Sequence, residues 1–271
     1  MALDYPKLLA DLRAESDLVI ERLTALAEDH WALPTPAQGW SIRDQVSHLA
    51  FFDDSTILAL SDAREFRSHA DELMAAGMDF PDRIAKQHRA MAPAMLLKWF
   101  IDSRRRLLSA FIVEDPRRRL LWFGPDMSVA SSATARLMET WAHGQDIYDA
   151  LGLTHPASPG LRGIAHLGVA TFAFSHTVHG LPVPNDTVRV ELRSPTGELW
   201  TWGPLDATNS ITGTATDFVL TVTQRRNWRE TGLIADGAVA SGWLNIAQAF
   251  AGAASTRQAT PGITLAAVQR G

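Results

Sequence analysis

The chain contains no cysteine, so it forms no disulfide, offers no thiolate to a metal and has no thiol nucleophile of its own. Any thiol chemistry must use sulfur brought from outside. No apolar run reaches the length of a membrane span. The opening Met1-Ala-Leu-Asp-Tyr-Pro6 has no basic stretch followed by a hydrophobic one, so neither signal peptide nor anchor is expected. The expected compartment is the cytoplasm. There is no positive excess either. A net charge of −5 argues against a general nucleic-acid binder, despite Arg104-Arg105-Arg106 and Arg117-Arg118-Arg119. Those runs read as solvated faces or as partners of an anionic ligand group. Also missing are a glycine-rich phosphate loop, a Ser-His-Asp order and a flavin or nicotinamide fingerprint.

What remains is 271 residues, 46% hydrophobic and 20% charged, enough for two ordinary cores. The first part reads as helical. Leu8, Leu12, Val19, Leu23 and Leu26 recur at helical spacing behind Asp4 and Pro6. Ser41 is an N-cap with Asp44 as its capping-box partner, opening a helix to about Leu60. Residues 64–92 are polar and mixed, a loop with short helical pieces. A third helix spans about Ala94 to Val113, with Leu97, Ile101, Leu108 and Phe111 inward. The fourth starts near Ser131 or Ser132 and runs to about Leu151, closed by Gly152. Four long helices in series predict a four-helix bundle.

His155-Pro-Ala-Ser-Pro-Gly160 reads as a linker. Beyond it come a helix over 161–179, strands at 188–192, 199–202 and 209–213, a helix from Thr216 towards Gln224, a strand at 233–236 and a closing helix over 239–250. The fold class is therefore two-domain α+β: a helical bundle over 1–154, a small α+β domain over 160–258 and a tail over 259–271.

Within Leu137-Met-Glu-Thr-Trp-Ala-His-Gly-Gln-Asp146, Glu139 and His143 stand four residues apart. On a helix that spacing puts a carboxylate and an imidazole on one face, about 6 Å apart at Cβ. His48 lies on an earlier helix among Val46, Leu49, Phe51 and Phe52, where an unpaired imidazole would be costly to desolvate. Residue chemistry alone leaves two readings open: an open divalent-metal site of two imidazoles and a carboxylate, and a buried hydrogen-bonded triad.

Gly39-Trp-Ser-Ile-Arg-Asp-Gln-Val-Ser-His-Leu49 and Met138-Glu-Thr-Trp-Ala-His-Gly-Gln-Asp146 resemble the two motifs of the mycothiol-dependent maleylpyruvate isomerase family, within the DinB-like metal enzymes. The likeness extends over nearly the whole chain, the second half being similar to a small sterol-carrier-like domain. It implies a DinB-like bundle with His48, Glu139 and His143 as ligands of a divalent metal, zinc by this resemblance, and mycothiol as thiol cosubstrate. It further implies thiolate addition to an electrophilic unsaturated acid or related metabolite, with cis–trans isomerisation ahead of S-transfer. An arginine near the substrate's anionic end corresponds to Arg225 first and Arg226 second, on which substrate and cosubstrate would be held, against a plainer reading of the pair as a solvated helix end favoured by the helix dipole. Residues 64–92 and 183–213 depart from the family pattern.

Lesser candidates have plainer alternatives. Asp146 is an acid/base candidate or orienter of an imidazole, against capping or an ion pair. Asp44 is a second-sphere acceptor for His48, against its capping role. Asp53 and Asp54 read as surface charges, His176 and His179 as packing residues, Trp40 and Trp141 as core or pocket walls. A reading of another class is a metal-stabilised small-ligand binding protein without catalysis.

Overall fold

Asp4 accepts a hydrogen bond from the Lys7 amide at 3.0 Å, and with Pro6 in the first turn it starts helix α1, Tyr5–Thr24. The computed structural model describes residues 4–259; the tail expected over 259–271 lies, from 260 on, outside the described residues. The chain divides into two compact units, one ending at Gly160 and one starting at Leu161.

The first unit contains α1 and five further helices: α2 (Ile42–Ser61), α3 (Ala63–Ala75), α4 (Phe80–Gln87), α5 (Pro93–Val113) and α6 (Val129–Ala150). A two-residue hairpin, β1 (Arg119–Leu120) with β2 (Met127–Ser128), precedes α6. Helices α1, α2, α5 and α6 are the expected bundle. Their shared core includes Val19, Leu23, Ile42, Val46, Leu49, Leu96, Phe100 and Ile147, each large side chain contributing about 1.5–3 kcal/mol by leaving water. Helix α5 turns inward through Leu96, Phe100, Arg104, Leu107, Leu108 and Phe111; Leu97 and Ile101 lie only half-buried at its flank.

Residues 64–92 are more regular than their composition suggests. Asp62 accepts from the amides of Arg64 (3.1 Å) and Glu65 (2.9 Å) and so opens α3. That helix buries only Phe66 and Ala70, and α4 only Phe80, Ile84 and Ala85. So narrow an apolar stripe on short helices reads as polar loop in sequence.

Helix α6 begins at Val129, earlier than expected, because Ser128 caps it by accepting from the Ser131 amide at 3.0 Å. From Thr140 through Tyr148 every residue is buried. Gly144 permits this: a Cβ there would lie 2.9 Å from Val19 Cγ2 and 3.4 Å from His155 Cε1.

The second unit holds helices α7 (Leu161–Ala170), α8 (Phe172–Val178), α9 (Ala215–Val222) and α10 (Ala238–Ile246). Its sheet comprises β3 (Val188–Arg193), β4 (Leu199–Trp202), β5 (Asn209–Thr214) and β6 (Ile234–Asp236), in the order β4-β3-β5-β6. Only the β3–β5 pair is parallel. After β4 the chain passes so close to β3 that a Cβ on Gly203 (φ +79°) would collide with the Val188 carbonyl oxygen. The single helix expected over 161–179 is two, interrupted at Thr171, whose hydroxyl donates to the Leu167 and Gly168 carbonyls. Helix α9 is capped by Thr214, not Thr216. Among the described residues no helix is long and apolar enough to cross a membrane.

Candidate metal centre

The entry to α2 is held rigidly. The Ser41 amide and hydroxyl both donate to the Asp44 carboxylate at 2.8 Å, and Arg89 binds the same carboxylate through Nε (2.8 Å) and Nη2 (3.0 Å). Burial pushes the Asp44 carboxyl up, but the hydrogen bonds and charge of Arg89 and Ser41 hold it below its ordinary value. Asp44 is thus spent on the helix cap and Arg89, as its capping role predicts.

Two turns into α2, His48 faces α6, and there the three candidate side chains converge. His143 Nε2 lies 3.0 Å from Glu139 Oε2 and His48 Nε2 lies 3.3 Å from the same oxygen. One ligand atom from each of the three falls within 4.8 Å of the others, the one such cluster among the described residues. Burial pushes the Glu139 carboxyl up, yet hydrogen bonds and charge from His143 and His48 outweigh it and hold the group well below the usual carboxylate range. Glu139 is therefore a carboxylate at neutral pH. Its side chain keeps 20% exposure, against 12% for His48 and 10% for His143, so the cluster is reachable from solvent on the carboxylate side. Two imidazoles and a carboxylate from two helices fit a divalent cation with coordination positions left over.

Aromatic rings wall the cluster. Trp40 stacks on His143 with centroids 5.9 Å apart and also contacts His48 at 5.2 Å, while its indole N–H donates to Asp82 at 2.6 Å. Phe52 packs against His48 at 4.5 Å and leads into a group of rings with Phe66, Phe80, Trp122 and Phe123. Trp141 points away and stacks on His155.

Beneath the cluster all four long helices meet at Arg104 of α5. Its Nε and Nη2 bind Asp53 of α2 at 2.7 and 3.1 Å, and its Nη1 donates to Thr140 of α6 at 2.9 Å and to the Ser16 hydroxyl of α1. Asp53 is five residues beyond His48 and Thr140 adjoins Glu139, so this node fixes the register of the two ligand-bearing helices. Asp53 is fully buried rather than a surface charge, and Arg104 is not part of a solvated run. Only Arg105 and Arg106 are exposed, pairing with Asp102 and Asp54.

Two other residues of the cluster's surroundings carry no obvious label in the sequence. Arg136, one turn before Glu139, is buried over Phe52 and Trp122 with Nη1 3.9 Å from Asp53. Gln45, fully buried one turn before His48, meets His143 Nδ1 through its side-chain oxygen. Its spacing from His48 was the one available signal.

The remaining candidates are placed as follows. Asp146 is buried on α6 one turn beyond His143. Arg225 and Arg226 belong to the second unit, just past α9. Arg225 donates to the Thr223 carbonyl and Arg226 to that of Arg225, each at 2.8 Å, and Arg226 lines a small cleft with Trp228, Asn245 and Arg257. The His176 and His179 rings contact backbone carbonyls one turn back, at Phe172 and Ser175.

Comparison with known proteins gives three findings. The family profile of the mycothiol maleylpyruvate isomerase N-terminal domain matches residues 12–148, and a profile for wyosine base formation matches residues 184–236. An uncharacterized protein of Mycobacterium tuberculosis, in strains CDC 1551 / Oshkosh and H37Rv, is 46% identical over 244 residues, covering 90% of this chain and 95% of that protein. The crystal structure of the mycothiol-dependent maleylpyruvate isomerase superposes with a TM-score of 0.59 at 13% identity, over 86% of this chain and 93% of that one. A histidine-to-alanine mutant of that enzyme gives 0.57 at 15% over the same shares. At such identity these two likenesses speak for the fold.

Proposed function

The chain belongs to the mycothiol maleylpyruvate isomerase family, and on that premise we propose that it is a metal-dependent, mycothiol-dependent isomerase of an electrophilic unsaturated acid or related metabolite. The observation that carries this reading is the convergence of His48, Glu139 and His143 in a chain without cysteine. The donors suit zinc, and the sulfur must come from a cosubstrate. A zinc ion held by these three side chains supplies positive charge that lowers the pKa of a thiol, so that thiolate exists near neutral pH.

The thiolate sulfur adds to the β-carbon of a double bond conjugated with a carbonyl, and the π pair moves onto the carbonyl oxygen. The former double bond then rotates. Return of the electron pair re-forms the double bond in the trans arrangement and expels the thiolate, so no atom is gained or lost. The chain's own contribution is positional. His48, Glu139 and His143 fix the donor triangle, Trp40 and Phe52 shield one side of it from water, and the Arg104 node keeps α2 and α6 in register. Asp146 is the proposed acid/base residue. Arg225, with Arg226 second, is the proposed partner of an anionic group on substrate or thiol. A cytoplasmic setting, which keeps low-molecular-weight thiols reduced, suits this chemistry.

The test is zinc analysis of the purified protein, then incubation with mycothiol and a cis-unsaturated oxo acid, following the double-bond geometry by NMR. Trans product with unconsumed mycothiol is expected. Stoichiometric loss of mycothiol into an S-conjugate would assign a transferase instead. His48→Ala with undiminished thiol-dependent turnover would refute a catalytic metal, and lowered stability alone in that variant would make the metal structural, as in a ligand-binding protein.

A further inference from the structure

The deepest part of the cluster is a chain of hydrogen bonds that starts on a backbone carbonyl. The Trp40 carbonyl oxygen accepts from the Thr35 amide at 2.8 Å and from the Thr35 hydroxyl at 3.0 Å. A hydroxyl has one proton. With that proton given to Trp40, Thr35 Oγ1 meets the Gln45 side chain, 2.7 Å away, only as an acceptor. The Gln45 atom facing Thr35 is therefore its NH₂, and the atom facing His143 Nδ1 is its carbonyl oxygen. A carbonyl oxygen accepts and never donates, so Nδ1 of His143 carries the proton.

We propose that Gln45 is a positioning residue that locks His143 in its Nδ1–H tautomer and so presents the Nε2 lone pair to a cation shared with His48 and Glu139. The inference rests on the metal reading above and adds the device that prepares one ligand. Nε2 of a ring protonated at Nδ1 has a lone pair, and it faces the Glu139 carboxylate at 3.0 Å. A cation between them uses that lone pair; without one, a second ring proton on Nε2 makes the hydrogen bond to Glu139 while Nδ1 keeps its own. Gln45 is fully buried, so water does not compete for its amide, and Trp40 stacked on His143 limits ring rotation. An outer partner of this kind typically carries about 10–100-fold in metal affinity.

The decisive experiment reads the tautomer directly. Long-range ¹H–¹⁵N spectra of the histidine rings are recorded for the metal-free and zinc-loaded full chain, with the His143 signals assigned by loss in His143→Gln. The expected wild-type pattern is a proton on Nδ1 in both forms. Gln45→Leu, checked for folding by near-UV circular dichroism, should lose the Nδ1–H preference and bind Zn²⁺ about 10–100-fold more weakly against a chromophoric chelator. Gln45→Glu, whose carboxylate only accepts, should keep both the tautomer and the affinity. A wild-type His143 with its proton on Nε2 alone would overturn the proposal, since the amide would then be reversed. So would a folded Gln45→Leu unchanged in tautomer and affinity, or a folded Gln45→Glu that loses the Nδ1–H signal. Should the wild-type chain take up no Zn²⁺, the metal reading falls, while the metal-free spectra still decide what Gln45 does.

Discussion

Replacing Arg104 by methionine tests whether the polar node holds the bundle. The variant keeps most of the side-chain volume but removes both hydrogen bonds to Asp53, at 2.7 and 3.1 Å, from a carboxylate with 0% exposure. Breaking a buried pair from one side costs about 3–5 kcal/mol because the remaining charge is uncompensated. The two hydroxyls on Arg104 add little, since Ser16 still donates to the Leu12 carbonyl at 2.6 Å and Thr140 to that of Arg136 at 2.6 Å. Arg136, whose Nη1 is 3.9 Å from Asp53 and has no hydrogen bond there, can swing towards the abandoned carboxylate. That relief puts the expected loss near the lower end, about 3 kcal/mol, a large share of the roughly 5–15 kcal/mol of an ordinary domain. Urea unfolding followed by far-UV circular dichroism, without metal, measures it. Asp53→Leu combined with Arg104→Met should recover most of the loss, because neither charge is then stranded. A single variant within about 1 kcal/mol of wild type, or a double variant no better than the single, would refute the reasoning.

Three further outcomes are expected. Glu139→Gln keeps the shape but removes the anionic donor, so zinc uptake by elemental analysis should fall and zinc should no longer raise the melting temperature; unchanged zinc content would exclude Glu139 as a ligand. Asp44 is held below its ordinary pKa by Arg89 and Ser41, so its contribution is present above its unfolded pKa of about 3.9 and disappears as pH falls through its folded value. Asp44→Asn should therefore cost about 1 kcal/mol near neutrality, with wild-type and variant urea midpoints converging in acid; a gap that widens below pH 4 would contradict this. Gly144→Ala gains helix propensity of about 1 kcal/mol but drives a methyl to 2.9 Å from Val19 Cγ2, and a net loss of about 1 kcal/mol in urea unfolding is expected; a stabilised variant would mean that α1 yields freely.

The local signals in the sequence were sound where one helix carries them. Asp4, Ser41 and Asp44 behave as caps, and the i,i+4 pair Glu139 and His143 falls on one face as helical spacing requires. The strands at 188–193, 199–202 and 209–214 follow the alternation of their side chains. Residues 64–92 hold the short helical pieces expected there, with more regular helix than their polar composition suggests because α3 and α4 each bury only two or three side chains. Gln45, Arg104 and Asp53 were illegible as a group, since their partners lie 98 and 51 positions away in the chain.

By itself, then, the sequence determined which residue types were available: two imidazoles and a carboxylate in helical frames, no thiol, and two halves of different periodicity. Which of its buried charges pair and which nitrogen of His143 faces Glu139 were decided only by tertiary packing, and spacing alone did not bring His48 to Glu139. Periodicity reports which face of a helix leaves water; hydrogen bonds and ion pairs act over about 3 Å between groups far apart in the chain, and only the packed helices bring them within that reach.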